Sequence, residues 1–380
     1  MKAGWEVKTL GEACQVFTDG NWIETKDQST EGIRLVQTGN VGLGVFKDRR
    51  DKARFISENT FRDLKCFEVL PGDCLISRLP DPVGRACEIP ETNDRMITAV
   101  DCSIVRTDPK KMDKNYFIYF SQSRAYLNEV DSLCSGTTRR RISRKNLGKI
   151  NIPLPPLEEQ KRIVSILDEA FEGLDRAREN AEANLKSARE LFSEAIRLNL
   201  RERDNWVSAK LSKCFRLKSG DNLTSKSMVS GPFEVYGGNG VAGKHNASNL
   251  SGDNVIVGRV GALCGRARCI SDEIWLTDNA FKVVDYKYDF EPRFLARLLN
   301  FLNLGSLARQ AAQPVISNSS LKDLILQFPK ERSKQTAIAD NLDKYEFKID
   351  TARGHYQTKL QDISDLRQSL LQKAFSGELT

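Results

Sequence analysis

The sequence predicts an α+β protein in which two similar mixed α/β domains alternate with two long helices. Three observations support this fold class. The chain contains an internal repeat, each copy runs into a stretch almost without glycine or proline, and 40% apolar with 29% charged residues is typical of a folded globular protein. At 380 residues the chain is too long for one ordinary core, so several domains are expected.

The repeat sets the predicted order of the domains. "WEVKTLGEA" from Trp5 is echoed by "WVSAKLSKC" from Trp206, and "ISRKNLGKINIPLPP" (142–156) aligns with "ISNSSLKDLILQFPK" (316–330). Each copy leads into a similar helix start, with Gln160 matching Gln335. The predicted boundaries are a first domain at 1–152, a first spacer helix at 153–203, a second domain at 204–329 and a second spacer helix at 330–380.

The two spacer helices have the pattern of a coiled-coil pair. After Pro155 and Pro156, which suit a helix start, no further proline and one glycine occur up to Leu200. Apolar residues then recur at spacings of four and three. The predicted seam consists of Ile163, Leu167, Leu174 and Leu191 in the first helix and Ile338, Leu342, Ile349, Tyr356, Ile363 and Leu370 in the second. Connectivity predicts an antiparallel pair with an internal pseudo-two-fold. The alternative is that each helix packs only on its own domain.

Short strands and helices fill both domains in the same order. In the first domain, "IRLVQTGNVG" (33–42) and "VLPGDCLISR" (69–78) predict strands beside turns, and residues 114–130 predict a helix with an aromatic face. In the second domain, residues 291–302 predict the corresponding helix. Two copies of one scaffold with different surfaces suggest one task performed on two targets.

Local charge clusters indicate nucleic acid more clearly than the net charge of +7 does. "SGTTRRRISRK" (135–145) combines hydroxyl groups with guanidinium forks, both of which bind phosphate. The matching loop "RQAAQPVISNSS" (309–320) carries amides such as Gln310 instead, and amides pair with adenine as arginine pairs with guanine. The DNA-binding candidates are Gln37, Thr38, Asn40, Arg78, Thr137, Thr138, Arg139, Arg140, Arg141, Arg144 and Lys145 in the first domain and Asn239, Lys244, Arg259, Arg266, Arg268, Gln313 and Asn318 in the second.

Several other classes of protein are disfavoured. Two histidines and nine scattered cysteines make a zinc site or histidine catalysis improbable, so no metal ligand and no catalytic residue is predicted. "GNGVAGKH" (238–245) resembles a phosphate loop, but its lysine is not followed by Ser or Thr and no helical pattern follows. The chain starts without an apolar export segment and has no apolar run of membrane length, which predicts a cytoplasmic protein.

Two alternatives remain open from the residues alone. Asp81, Asp108 and Lys110 form a loose match to the acidic residues and lysine of a metal-dependent nuclease, although Pro109 disrupts the strand that such a site needs. A purely structural coiled-coil adaptor is the second alternative.

Three stretches carry a family resemblance. "IPLPPLEEQKRIVSILDEAFEGLDRA", "GRVGALCGRA…WLTDNAFKV" and "LRQSLLQKAFSGEL" resemble the DNA specificity subunit of type I restriction–modification systems. The second joint, "QFPKERSKQ", departs from the "PLPPLEEQ" pattern of the first.

The resemblance implies a non-catalytic subunit that reads split double-stranded DNA, one half-site per domain. It implies that the helices bind two methyltransferase subunits, that restriction subunits join the complex, and that the chain has no membrane partner. It also implies that S-adenosylmethionine, ATP and Mg²⁺ belong to the partner subunits and that this chain holds no cofactor.

Overall fold

The structure, a computed structural model, describes residues 2, 4–137, 139–201, 203, 205–309 and 313–380. Its contacts divide the chain into two compact units, one of Met1–Ala181 with Thr358–Thr380 and one of Glu182–Gln357. Both divisions fall inside a long helix, so each long helix contributes to both units. The domain boundaries predicted from the sequence are therefore not the boundaries of the compact units.

The elements follow the predicted alternation. Up to the end of the first long helix they are β1 Glu6–Thr9, α1 Leu10–Ala13, β2 Cys14–Asp19, β3 Gln28–Ser29, β4 Ile33–Val36, β5 Arg54–Ile56, α2 Glu58–Asp63, β6 Glu68–Val69, β7 Cys74–Ser77, β8 Ala86–Glu88, β9 Met96–Thr98, β10 Cys102–Thr107, α3 Lys114–Phe120, α4 Arg124–Ser132, α5 Arg144–Leu147, β11 Asn151–Leu154 and α6 Leu157–Leu200. The remainder are β12 Val207–Lys210, α7 Leu211–Cys214, β13 Arg216–Ser219, β14 Phe233–Gly237, β15 Gly240–His245, β16 Asn254–Gly258, β17 Ala267–Ile270, β18 Ile274–Leu276, β19 Ala280–Val284, α8 Pro292–Phe301, α9 Asn318–Leu321, β20 Ile325–Phe328 and α10 Arg332–Ser376.

The first unit is built on an antiparallel sheet of order β2-β10-β7-β8. A second sheet, β3-β5-β4-β9-β6, contains the parallel pair β4–β9, and β1 pairs with β11. The core includes Tyr116 and Phe117 of α3, Ile163 and Leu167 of α6, and Leu371 of α10. Both long helices therefore pack on the domain as well as following the seam pattern.

The second unit repeats this arrangement. Strands β13-β19-β16-β17 have the order of β2-β10-β7-β8, β14 runs parallel to β18 as β4 does to β9, and β12 pairs with β20. Phe294 of α8, Phe328 of β20 and Leu342 of α10 are fully buried in its core. The prediction of two similar mixed α/β domains with two long helices is confirmed.

The prediction of one aromatic helix at 114–130 is wrong in one respect, because this segment forms two helices, α3 and α4. The Ser123 side chain accepts a hydrogen bond from the Tyr126 backbone N–H at 3.2 Å and caps α4, so α3 ends at Phe120. A serine that satisfies a free N–H of a new helix competes with continuation of the old one. The predicted aromatic face is buried in the core.

Of the predicted seam positions, Leu191 is the exposed one, and the others are buried or half-buried. The Leu191 side chain is 68% exposed, whereas the predicted Ile163, Leu167 and Leu342 are fully buried. Between Leu174 and Ala195 the buried and half-buried apolar positions of α6 are 174, 177, 181, 185, 188, 192 and 195. Positions 174, 181, 188 and 195 keep the heptad spacing, and only the intermediate positions lie one residue later than a strict heptad places them, at 185 and 192.

Contacts along the helices match an antiparallel course. In the first unit, Arg367 Nη1 of α10 lies 3.4 Å from Asp175 Oδ1 of α6. In the second unit, Asn341 Nδ2 of α10 donates to Asn199 Oδ1 of α6 at 3.1 Å. The residue number rises along α6 as it falls along α10, which is the order expected for antiparallel partners.

Candidate nucleic-acid interface

The basic segment of the first domain forms a closed loop. Ser135 and Arg141 exchange two backbone hydrogen bonds of 2.9 Å, so the described residues 136, 137, 139 and 140 form the tip between them. Thr137 and Arg139 are exposed on this tip. Thr138 lies outside the described residues. The loop therefore presents donors to solvent, as a phosphate-binding or base-reading loop must.

Three arginines of this segment lie beside surface carboxylates. Arg140 Nη1 is 2.8 Å from Asp131, Arg141 Nη2 is 3.2 Å from Asp101, and Arg144 Nε is 3.6 Å from Asp19. Lys145 is exposed. Surface ion pairs of this kind are weak and can be exchanged for a phosphate.

Two predicted DNA contacts of the first domain serve the fold instead. Asn40 is 9% exposed, accepts from the Gln37 N–H at 3.0 Å and donates to the Lys47 carbonyl at 2.9 Å. Its amide closes a turn, so the prediction that Asn40 contacts DNA is wrong for this structure. Gln37 and Thr38 are half-buried beside it.

Arg78, the second such prediction, is only 5% exposed and is the centre of a hydrogen-bonded frame. Its N–H donates to the Asp101 carbonyl at 2.9 Å, and its carbonyl accepts from the Ile142 N–H at 3.3 Å. Its guanidinium donates to the Val100 carbonyl and lies 3.5 Å from Asp19. Burial lowers the pKa of Arg78. Arg78 thus positions three loops and does not lie at the surface.

Arg259 repeats this frame in the second domain. Its N–H donates to the Asn279 carbonyl at 2.9 Å, and its carbonyl accepts from the Ile316 N–H at 3.0 Å. Its guanidinium donates to the Asp278 carbonyl at 3.2 Å and lies 3.4 Å from Ser219 Oγ. These are the same four contacts as in the first domain. In both arginines the buried Nε has no partner among the described residues.

The sequence contained a signal for this frame that the sequence analysis missed. "SRLPDPVGRA" (77–86) aligns with "GRVGALCGRA" (258–267), with two arginines at the same spacing. The second arginine of the first copy, Arg85, is buried and donates to the carbonyls of Thr38, Val41 and Leu79 at 2.7–2.8 Å. Its counterpart Arg266 is exposed.

The remaining DNA-binding candidates of the second domain differ in exposure and in hydrogen bonding. Lys244 on β15 is exposed, and Arg268 on β17 is half-buried with its pKa lowered by burial and by Arg266. Asn318 is exposed at the start of α9, but its amide donates to the Leu217 carbonyl at 2.9 Å. One donor of the Asn318 amide therefore stabilises the fold. Gln310 lies outside the described residues.

Asn239 and Gln313 come together at a cleft of about 580 Å³ in the second domain. The loops after β13, β14, β16 and β18 contribute Asn222, Asn239, Val260 and Asn279 to its lining. The cleft is thus assembled from segments that are distant in sequence, and both polar and apolar groups line it.

The nuclease alternative is not supported by the geometry. β7 and β10 are antiparallel, with Ser77 paired to Cys102. Asp81 follows the end of β7 and so lies near the start of β10, whereas Asp108 follows the end of β10 at Thr107. Six residues of strand separate the two carboxylates by about 20 Å, which is too far to share a metal.

No three His, Cys, Asp or Glu side chains among the described residues are grouped so that they could hold a metal ion. No described helix is both long and apolar enough to cross a membrane.

Comparison with known proteins agrees with this geometry. The profile of the type I restriction modification DNA specificity domain matches residues 2–185 and 204–360. The chain belongs to this family. It is a DNA specificity subunit of the type I restriction–modification class.

Characterised relatives match over most of the chain. It is 26% identical over 330 residues to the type I restriction enzyme StySPI specificity subunit of Salmonella potsdam, covering 73% of this chain and 68% of the relative. It is 24% identical over 400 aligned residues to the EcoKI specificity subunit of Escherichia coli strain K12, covering 92% and 82%.

Solved structures show the same fold. A chain from structural work on complex assembly and conformational transition of the type I R-M system matches with a TM-score of 0.82 at 16% identity, covering 100% of this chain and 99% of that one. The HsdS subunit of Thermoanaerobacter tengcongensis matches with a TM-score of 0.62 at 16% identity, covering 100% and 98%.

Proposed function

We propose that this chain reads a split sequence in double-stranded DNA on behalf of a type I restriction–modification complex. Residues 1–152 read one half-site and residues 204–329 read the other. The chain itself catalyses no step. The partner subunits bind S-adenosylmethionine, ATP and Mg²⁺, and this chain determines which DNA sequence the complex binds.

One observation supports a split target above all others. The same hydrogen-bonded frame occurs around Arg78 and Arg259, yet the side chains beside it differ, with Asp19 and Asp101 in one domain and Ser219 and Asn279 in the other. Base-edge recognition depends on the donors and acceptors that a side chain offers. One scaffold with two sets of polar groups therefore fits two different base sequences.

The helical segments 153–203 and 330–380 have the role of spacers in this proposal. Helices α6 and α10 contain 44 and 45 residues, which corresponds to about 66 Å of helix each. A spacer of constant length demands a constant gap between half-sites. We propose further that these helices bind two methyltransferase subunits and that restriction subunits join the complex, in keeping with the family.

DNA affinity is assigned to exposed basic and hydroxyl groups. Arg139, Arg140, Lys145 and Thr137 in the first domain and Lys244 and Arg266 in the second supply phosphate or base contacts. Phosphate contacts give affinity that falls with salt, and base contacts give sequence preference.

A genome-wide methylation map tests this function. The chain is expressed with its methyltransferase subunits in a host without adenine methylation, and the subunits are expressed without the chain as the control. The expected result is methylated adenines within one split sequence, only when the chain is present. Methylation that is identical with and without the chain would refute the proposal.

A further inference from the structure

Four amide side chains contribute to the cleft of the second domain. They are Asn222, Asn239, Asn279 and Gln313, and the described lining residues include the carboxylate of Asp278 but no lysine or arginine. An amide offers both a donor and an acceptor, and Asn or Gln pairs bidentately with the edge of adenine. The composition of the cleft therefore favours a base edge over a phosphate.

Three of these amides are available to a ligand. Asn222, Asn279 and Gln313 are exposed, and no hydrogen bond joins any of their side-chain amides to another described residue. Asn239 is different, because its Oδ1 accepts from the Leu263 N–H at 2.9 Å and so holds a turn. Asn279 and Gln313 are the two free amides whose counterparts in the first domain can be identified.

The first domain has a residue in the position of Gln313. The loop pair Ser135–Arg141 corresponds to the loop pair Arg309–Val315, since each is joined as an antiparallel bridge. Gln313 stands two residues before the end of its loop, and Arg139 stands two residues before the end of the other. Arg139 is exposed and makes no ion pair with a described carboxylate.

The first domain also has a residue in the position of Asn279. The carbonyls of Asp101 and Asn279 accept from the two equivalent arginines of the frame, both at 2.9 Å. Asp101 pairs with Arg141 at 3.2 Å, whereas the second domain replaces this ion pair by Asn279 and Val315. Both members of the ion pair, Asp101 and Arg141, are thus replaced by uncharged residues in the second domain.

We propose that Arg139 and Gln313 are equivalent specificity-determining residues that read the same place in the two half-sites. Arg141, held by Asp101, assists the first, and Asn279 assists the second. Arginine is matched to guanine O6 and N7, and glutamine is matched to adenine N6 and N7. Arg78 and Arg259 are positioning residues that hold the two loops. The inference rests on the proposed split-target function.

Reciprocal substitutions test it. The complex with methyltransferase subunits is prepared with the wild-type chain, with Gln313→Arg and with Arg139→Gln, and binding is measured to duplexes that differ at one base pair at a time. Gln313→Arg is expected to change one preference in the second half-site from adenine to guanine by about tenfold, with the first half-site unchanged. Arg139→Gln is expected to make the opposite change in the first half-site only.

Ser271→Arg, in the loop between β17 and β18, is the matched control, because it adds the same charge at an exposed position of the same unit outside the cleft and outside the long helices. Unchanged base preferences in both test variants would overturn the inference. An equal loss of affinity for every duplex would also overturn it, since that indicates a phosphate or structural role, and thermal unfolding of each variant distinguishes these two. If the wild-type complex shows no split preference, the proposed function itself fails.

Discussion

Gln160 and Gln335 attach the beginnings of the two long helices to their domains through equivalent hydrogen bonds. Both side chains are fully buried. Gln160 Oε1 accepts from the Asp113 N–H at 2.9 Å, and its Nε2 donates to the carbonyls of Pro155 and Lys111, both at 2.8 Å.

Gln335 makes the corresponding set in the second domain. Its Oε1 accepts from the Glu291 N–H at 2.9 Å, and its Nε2 donates to the carbonyls of Pro329 and Asp289 at 2.9 and 3.4 Å. Asp113 and Glu291 are the N-caps of α3 and α8. Each glutamine therefore joins a long helix to the start of a core helix, which explains why the repeat keeps this residue.

Removing one glutamine should destabilise the domain to which it belongs. Gln160→Ala leaves the Asp113 N–H and the carbonyls of Lys111 and Pro155 without this partner, which should lower the free energy of unfolding by about 3 kcal/mol. Urea unfolding compared with that of the exposed control Gln372→Ala measures this. Equal midpoints for the two variants would contradict the assigned role.

The different burial of Leu342 and Leu191 leads to a second prediction. Leu342→Ala should lower the free energy of unfolding by about 2–5 kcal/mol, because Leu342 is fully buried and the change leaves a cavity. Leu191→Ala should change it by less than about 0.5 kcal/mol, because that side chain is largely exposed. Thermal unfolding of both variants measures these changes. A large effect of Leu191→Ala would contradict the exposure of Leu191 and support its predicted place in the seam.

Acid should weaken the first domain through Asp48. Arg34 is buried and donates to Asp48, and this bond holds the pKa of that carboxyl below its ordinary 3.8. Because the folded pKa is the lower one, the stabilisation is present above about pH 4 and is lost as the pH falls through the folded pKa. The stability difference between wild type and Asp48→Asn should shrink with acidification below pH 4. A difference that stays constant to pH 2 would contradict this.

Arg140 should contribute to the salt dependence of DNA binding. If its guanidinium meets a phosphate, Arg140→Ala should reduce the slope of log affinity against log salt by about 0.9 and weaken all duplexes alike. Arg62→Ala, on the exposed surface of α2, is the charge-matched control. An unchanged slope with Arg140→Ala would remove this residue from the interface.

The repeat and the helix pattern were readable from the sequence because both depend on local signals. The paired joints, the proline-stopped strands and the long proline-free stretches gave the order of domains and helices. Leu191 was misplaced because the intermediate seam position lies one residue later than a strict heptad places it, at 192.

The site residues were harder to predict from the sequence, because burial of a polar side chain depends on contacts between residues that are distant in sequence. Arg78 and Asn40 are polar and lie beside turns, like surface residues, yet their partners Val100 and Lys47 come from other segments. The loop containing Arg139 was found because clustered charge is a local signal. Arg85 was missed because composition does not reveal its four carbonyl partners.

The most direct test of the central claim is a series of duplexes that keep both half-sites, once mapped, and vary only the number of base pairs between them. Binding of the assembled complex is measured across the series at one salt concentration. Two readers joined by helices of constant length predict one preferred gap, with affinity falling steeply when a single base pair is added or removed. Affinity that does not depend on the gap would contradict the account.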